Sequence, residues 1–174
     1  MATTGEHHPA FEEYCECIFE LREDHIDVIQ ARVADRLGVS RPSVSEMIKR
    51  MELEGLIVIR GAKFSLTSDG DVLAERVVRR HRIAERLLTD VLGLSWANAH
   101  HEAGKWEHIM NQDVESAMNK VLHNPTTCPH GNPIPGSSYR QERLSKLSDV
   151  VEGKLLLHQQ SQLGFEDTNK KLMA

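Results

Sequence analysis

The 174 residues are 40% apolar and 27% charged, a composition typical of one ordinary globular domain or two small ones. The formal net charge of −5 argues against binding nucleic acid through bulk charge, although it leaves room for a local basic face. No apolar run approaches the ~20 residues that cross a bilayer, and residues 1–11 lack the pattern of a secretory signal. We therefore expect a cytoplasmic protein with no membrane partner. The odd set of cysteines, Cys15, Cys17 and Cys128, favours reduced thiols.

Apolar residues recur at helical spacing through the first third of the chain. This pattern predicts helices over residues 11–21 and 28–37, and Gly38 stops the second of them. Ser40 is the expected N-cap of a third helix, with Pro42 near its first position. A three-residue turn that contains glycine, placed between two helices, is the helix-turn-helix arrangement, whose second helix can lie in a DNA major groove.

A short β-hairpin is predicted directly after the third helix, from the run LIVIR, a turn over residues 61–63 and the segment FSLT. This order predicts a winged helix-turn-helix domain over residues 1–76, and it is more specific than three helices alone. The alternative is a small three-helix unit whose charges form a solvated face. The candidate DNA contacts are hydroxyls, cations and one proline at the third helix and near the hairpin: Arg32, Ser40, Arg41, Pro42, Ser43, Ser45, Lys49, Arg50, Arg60 and Lys63.

Helical periodicity continues beyond the hairpin. Residues 67–69 cap a predicted long helix over 70–92, and further helices are predicted over 95–110 and 112–123. The segment CPHGNPIPG, residues 128–136, contains three of the six prolines and predicts a loop at a domain edge. The predicted fold class is mainly α with a small β-hairpin, divided into residues 1–76, a helical part over 77–136 and a tail over 137–174.

The segment HHEAGKWEHIM, residues 100–110, contains three histidines and two glutamates. On a helix that turns about 100° per residue, four of its positions share one face: His100, Gly104, Glu107 and His108. On the preceding long helix, His81 and Glu85 are four residues apart and also share a face. Two His/Glu pairs on successive helices favour a divalent cation held by nitrogen and oxygen donors.

Two alternatives to this metal site stay open at the level of sequence. Arginines of the long helix could pair with the carboxylates and leave the histidines as surface residues: Arg79, Arg80, Arg82 and Arg86. An enzyme with Glu107 and His108 around a metal-bound water is the weakest hypothesis, because no serine or cysteine nucleophile and no glycine-rich phosphate loop accompany them. We therefore expect no enzyme and no small-molecule substrate.

Three segments resemble the diphtheria toxin repressor family of metal-dependent transcriptional repressors: RRHRIAERLLTDVLGL (79–94), HHEAGKWEHIM and CPHGNPIPG. The preceding ARVADRLGVSRPSVSEMIKRMELEGLI is similar to the winged helix of that family. The resemblance covers residues 11–136. It implies a helical metal-binding and dimerisation domain over 77–136. It also implies a homodimer that binds double-stranded operator DNA and represses metal-homeostasis genes when loaded with Fe(II) or Mn(II).

The resemblance also implies two metal sites. The first uses the positions of His81, Glu85 and His100. The second uses the positions of Glu13, Gly104, Glu107 and His108, and Glu16 joins it in the manganese-responsive branch.

Two positions of the second site bear on the choice of metal. Iron-responsive members carry a methionine at the position of Glu13 and a cysteine at that of Gly104, whereas manganese-responsive members carry carboxylates at both. Because hard oxygen donors favour Mn(II), Glu13 and Glu16 predict the manganese transport regulator branch. Fe(II) is the second candidate, and Zn(II) or Co(II) are expected to substitute in vitro. Gly104 departs from both branches and offers only its backbone carbonyl.

The resemblance gives the first helix a role. If Glu13 shares an ion with Glu107 and His108, the ion joins the winged helix to the dimerisation domain and fixes the spacing of the two recognition helices on DNA. Metal is then a corepressor. The alternative is a winged-helix DNA-binding protein with a structural zinc site, whose loss would unfold it. Residues 143–160 resemble the opening of the SH3-like third domain of longer family members.

Overall fold

The computed structural model describes residues 8–140. Within them, three helices come first: α1 over Pro9–Glu23, α2 over Gln30–Leu37 and α3 over Arg41–Leu53. Each predicted helix is present, and α1 extends beyond the predicted 11–21 at both ends, because Pro9 supplies a favourable first turn.

Local capping fixes the turn between α2 and α3. Gly38 ends α2 with φ of 65°, a left-handed conformation that favours glycine. The Ser40 hydroxyl then accepts a hydrogen bond from the Ser43 amide at 3.2 Å, and Pro42 lies in the first turn of α3. The predicted helix-turn-helix and its cap are therefore confirmed.

The predicted hairpin follows α3. Strand β1, Ile57–Arg60, pairs antiparallel with β2, Lys63–Leu66, and Ile57 lies opposite Leu66. A single bridge between Ile29 and Lys63 connects the hairpin to the segment before α2. Together with the three helices, the hairpin forms the winged helix-turn-helix that the sequence predicts.

The long helix α4 spans Ser68–Arg86, capped by the Thr67 hydroxyl, and continues into a π-helical turn over Leu87–Val91. The predicted single helix over 70–92 was therefore wrong in its last turn, where the hydrogen bonding loosens. Helix α5, Trp96–Trp106, is shorter than the predicted 95–110, and α6 covers Gln112–Val121.

Two hydrophobic clusters hold these elements together. The larger is formed by the winged helix and the first half of α4, where Ile18, Ile48 and Val77 are almost fully buried. The smaller joins the end of α4 to α5 through Ala84 and Ala103. Because α4 contributes residues to both clusters, it packs against both the winged helix and α5.

The described residues up to Tyr139 form one compact unit. The predicted domain boundary between residues 76 and 77 falls inside α4 and stays a prediction. The predicted SH3-like segment, 143–160, lies outside the described residues. Among the described residues, no helix combines the length and apolar character that spanning a bilayer requires.

Candidate metal centre and DNA interface

Imidazole and carboxylate groups from α1, α4 and α5 meet around a cavity of about 640 Å³. Glu16 comes from α1, His81 and Glu85 from successive turns of α4, and His100 from α5. His81 and Glu85 are almost fully buried, with 7% and 3% of their surfaces exposed. Buried ionisable groups of this kind must be paired, hydrogen-bonded or bound to metal.

The first predicted set is brought together by the structure. Oε1 of Glu85 lies 3.3 Å from Nε2 of His81 and 2.9 Å from Nδ1 of His100. The two facing ring nitrogens, Nε2 of His81 and Nδ1 of His100, are 3.0 Å apart. One ligand atom from each residue lies within 4.8 Å of the others, a spacing that could hold one ion.

The proline-rich loop adds two groups that the sequence analysis did not single out. Nδ1 of His130 lies 3.7 Å from Oε1 of Glu85 and 3.9 Å from Sγ of Cys128. Glu85, Cys128 and His130 form a second triad with metal-ligand spacing. The Cys-x-His spacing in CPH was the available signal, but it says nothing about which carboxylate the loop approaches.

A further cluster lies on the opposite side of the His81 ring. Nδ1 of His81 is 2.5 Å from Oε2 of Glu107 and 3.6 Å from Oε1 of Glu16. Nε2 of His108 is 3.2 Å from Oε1 of Glu107. His81, which the resemblance assigns to the first site, therefore faces residues of both sites.

Two residues predicted for the second site lie at its edge. Glu13 is exposed and lines the cavity, but among the described residues the close cluster contains Glu16 in its place. Gly104 also lines the cavity, and a Cβ atom added there would meet nothing within 4 Å. The second site therefore has space beside Gly104 and no side chain to fill it.

Clustered charge shifts the ionisation of these groups. Burial and the nearby charge of Glu107 raise the pKa of Glu16 to about 9. Burial alone lowers the pKa of His81, but hydrogen bonds to Glu107 and Glu85 and the charge of Glu16 outweigh it and raise the value to about 10. The donors fit a divalent cation, because its charge would offset the repulsion between the Glu16 and Glu107 carboxylates.

The arginine alternative fails for the residues that the structure describes. Arg79 and Arg80 bind Glu115, Arg82 binds Glu23 and the Pro133 carbonyl, and Arg86 binds Asp90. None of these four pairs with Glu85 or Glu107. His81 and His100 therefore keep their contacts with Glu85, Glu107 and each other.

The predicted DNA contacts lie on the outer surface of the winged helix. Ser45 is half-buried, and nine of them are exposed: Arg32, Ser40, Arg41, Pro42, Ser43, Lys49, Arg50, Arg60 and Lys63. Lys63 forms an ion pair with Asp27 at 2.5 Å, and the Arg50 guanidinium lies 5.5 Å from the Phe11 ring centre. Glu46, which is exposed on α3, was not among the predicted contacts.

The fold and the site define a class: winged-helix proteins with a helical metal-binding domain. Residues 8–63 match the model for "Iron dependent repressor, N-terminal DNA binding domain", and 67–136 match "Iron dependent repressor, metal binding and dimerisation domain". The chain belongs to this family, which includes the diphtheria toxin repressor. The resemblance seen in the sequence is therefore confirmed. The members of this family are transcriptional repressors and not enzymes.

The names of individual relatives state different metals, iron for some and manganese for others. The chain is 50% identical over 126 residues to the iron-dependent repressor IdeR of Mycobacterium tuberculosis, covering 72% of this chain and 55% of the relative. It is 45% identical over 126 residues to the diphtheria toxin repressor of Corynebacterium diphtheriae, covering 72% and 56%. The structure of the manganese regulator SloR matches with 34% identity and a TM-score of 0.70, covering 82% of this chain and 67% of that one. The chain thus spans about 55% of the length of these curated relatives.

Proposed function

We propose that this protein is a dimeric, metal-dependent transcriptional repressor that binds operator DNA in the cytoplasm, with Mn(II) as corepressor. The observation that carries the proposal is the contact of Glu16, on α1 of the winged helix, with His81 and Glu107 of the helical part. A ligand set drawn from α1, α4 and the end of α5 makes the position of α1 depend on metal.

The ligand groups divide into two sets around the His81 ring. The first contains His81, Glu85 and His100, extended by Cys128 and His130. The second contains Glu16, Glu107 and His108, with Glu13 and the Gly104 carbonyl at its edge. When bound, the divalent ion supplies the positive charge that allows the Glu16 and Glu107 carboxylates to be ionised side by side. Held by one ion, Glu16 and Glu107 would fix α1 beside the end of α5, and α3 would be held with α1 through their shared core.

Mn(II) is favoured over Fe(II) by the donors of the second set. Glu16 and Glu107 offer hard oxygen atoms, and neither a thiol nor a thioether lies in that close cluster. The higher sequence identity to IdeR, an iron-dependent repressor by name, favours Fe(II) as the competing candidate. Zn(II) and Co(II) are expected to bind in vitro, because imidazole accepts both.

The recognition helix is α3, whose outer surface is polar. Ser40 and Ser43 at its N-terminus suit phosphate oxygens, and Lys49 and Arg50 suit the backbone farther along. Ser45, Arg41, Pro42, Arg32, Arg60 and Lys63 complete the proposed interface. We add Glu46, because an exposed carboxylate on such a helix can accept a hydrogen bond from the cytosine amine.

The test is selection of duplex DNA from a randomised library with added Mn(II), then affinity measurements with Mn(II), Fe(II), Zn(II) or chelator. We expect enrichment only with metal, and loss of the metal response in Glu107→Gln. Glu102→Gln is the matched control, because Glu102 lies on α5, just before Glu107, but pairs with Lys105 at 2.7 Å on the solvent side. Equal DNA affinity with metal and with chelator contradicts the proposal.

A structural zinc site is the second candidate, supported by Cys128 and His130 beside Glu85. A thiol and an imidazole are typical zinc ligands, and structural zinc couples to folding. Burial raises the pKa of the Cys128 thiol, so a metal must displace its proton. Chelation that abolishes DNA binding while the circular dichroism spectrum stays native argues against this candidate, whereas unfolding supports it.

A further inference from the structure

Glu12 is a buried carboxylate on α1, next to the predicted ligand Glu13, with only 5% of its surface exposed. Its Oε1 lies 3.3 Å from Nη2 of Arg76 on α4. Its Oε2 lies 2.7 Å from Nδ1 of His108, just beyond the end of α5. From a buried position the side chain therefore connects α1, α4 and the segment after α5, a role that was not predicted.

The two nitrogens of the His108 ring have different neighbours. Nδ1 faces Glu12, whereas Nε2 lies 3.2 Å from Oε1 of Glu107, on the side of the second ligand set. A carboxylate has no hydrogen to donate, so a hydrogen bond to Glu12 requires the proton to be on Nδ1. When the ring is neutral, its lone pair is then on Nε2, the nitrogen that faces Glu107 and the cavity.

The contact with Arg76 leaves Glu12 without a free oxygen atom for binding a metal. The guanidinium donates to Oε1 and occupies that oxygen, while Oε2 is occupied by His108. Among the described residues, Glu12 also belongs to none of the three clusters with metal-ligand spacing. The geometry is that of a carboxylate that holds a histidine, and not of a ligand.

We propose that Glu12 is a positioning residue for the second metal site. It fixes the tautomer and the ring orientation of His108, and Arg76 fixes Glu12. Metal-binding histidines commonly donate their other N–H to a carboxylate, which orients the ring and raises its basicity. The inference rests on the proposed function, because it takes His108 as a ligand, and it adds a second route by which α1 and α4 affect that site.

The direct test is nitrogen NMR of the imidazole rings in metal-free protein, at a pH high enough for the His108 ring to be neutral. In the wild type and in the control Glu75→Ala, an exposed residue of the same α4 helix as Arg76, we expect His108 to carry its proton on Nδ1. In Glu12→Ala we expect a shift toward the form protonated on Nε2. An unchanged His108 tautomer in Glu12→Ala overturns the inference.

Calorimetric titration with Mn(II) separates positioning from direct ligation. Glu12→Ala is expected to weaken Mn(II) binding about 10–100-fold, the usual loss when such a partner is removed. In the His108→Ala background, the same substitution is expected to cost nothing further, because Glu12 acts through His108. Additive losses in the double variant identify Glu12 as an independent ligand and overturn the inference.

Glu12→Ala leaves Arg76 without its carboxylate partner and could impair folding. Glu12→Gln is therefore the second variant. Glutamine keeps the volume, and its amide can either accept from or donate to Nδ1, so it permits both tautomers. We expect Glu12→Gln to fold and to give a mixture of His108 tautomers, whereas a pure Nδ1–H form contradicts the inference. If metal-dependent DNA binding fails, the proposed function fails, while the tautomer measurement in metal-free protein still decides the role of Glu12.

Discussion

The two ring nitrogens of His81 face different carboxylates. Nδ1 faces Glu107 and Glu16, whereas Nε2 faces Glu85. Although burial disfavours the charged ring, these carboxylates raise the pKa of His81 to about 10. The metal-free site therefore contains an imidazolium where a bound metal needs a neutral ring, and metal must compete with protons.

The stability of metal-free protein is predicted to fall as pH rises above neutrality. The pKa values of His81 and Glu16 are raised, from 6.5 to about 10 and from 4.5 to about 9. The folded state therefore holds more protons than the unfolded chain, and the stability that these groups contribute is lost as pH rises through the folded values. Urea unfolding in chelator at several pH values between 6.5 and about 9 measures this loss.

Glu16→Gln is the control for this pH dependence. The substitution removes one of the two raised groups, so the free energy of unfolding is expected to change less with pH than in the wild type. Metal-free stability that increases over the same interval contradicts the assignment. Added Mn(II) is expected to bind more tightly at higher pH, with release of protons.

Gly104→Glu is predicted to strengthen Mn(II) binding. The site has room for a side chain, since a Cβ at Gly104 meets nothing within 4 Å, and the residue lines the cavity beside Glu107 and His108. A new carboxylate there is expected to raise the affinity for Mn(II) by at least ~10-fold, because even a residue that only supports a ligand contributes that much. Calorimetry measures the gain, and an equal gain in Gly104→Ala, which adds no donor, contradicts the explanation.

At the scale of elements, the start of α4 depends on a close approach between helix and hairpin. A Cβ at Gly70 would lie 2.0 Å from the backbone oxygen of Leu56, which accepts a hydrogen bond from the Thr67 amide. Glycine at this position lets the first turn of α4 lie directly against Leu56, the residue before β1. The contact between the start of α4 and the hairpin therefore has no room for a side chain at residue 70.

Gly70→Ala is predicted to destabilise the protein by about 1–3 kcal/mol, the usual cost of overpacking. The matched control is Gly104→Ala, a helical glycine with open space, which is expected to be neutral or to stabilise by up to ~1 kcal/mol. Urea unfolding of both variants in chelator compares the two. Equal free energies of unfolding in the two variants contradict the role of the close approach.

The sequence predicted the elements whose signals are local. The Gly38 stop, the Ser40 cap and the hairpin depend on backbone conformations and hydrogen bonds within a few residues, so the winged helix followed from them. Helical spacing also placed His81 and Glu85 on one face. The π-helical turn after Arg86 was missed, because the apolar spacing of Leu87 and Leu88 continues as in an α-helix.

The parts that depend on tertiary packing could not be predicted. Cys128 and His130 reach Glu85 only because the loop folds back onto α4, and no local pattern encodes that path. Glu12 and Glu13 are neighbours in sequence, yet one is buried against His108 and the other is exposed. The assignment of Glu13 as a ligand stays a prediction.

At the scale of the whole molecule, apolar side chains remain exposed around the π-helical turn and α5. Val91, Leu92 and Trp96 each expose more than half of their surface. Such a patch is typical of a protein interface. It lies within the region that matches the family's metal-binding and dimerisation domain, and we propose it as part of the homodimer contact.

Leu92→Asp is predicted to weaken the homodimer by at least ~10-fold in dissociation constant, because a charge at an apolar contact costs more than 1.4 kcal/mol. Leu53→Asp is the matched control, since Leu53 is an exposed leucine of the winged helix, at the end of α3. Sedimentation equilibrium measures both. If Leu92→Asp has the same dimer dissociation constant as the wild type, the dimer contact lies elsewhere.

The buried guanidinium of Arg82 has a consequence for how binding events communicate. It contacts Glu23 at the end of α1 and the carbonyl of Pro133, in the loop that carries Cys128 and His130. Arg82 therefore gives α1 and that loop a shared contact, through which a shift of α1 would reach the loop. On the proposed function, linkage between the two sites is reciprocal, so DNA that selects one position of α1 would alter metal affinity at the loop by the same factor as metal there alters affinity for DNA. The operator is then itself an effector of the metal centre.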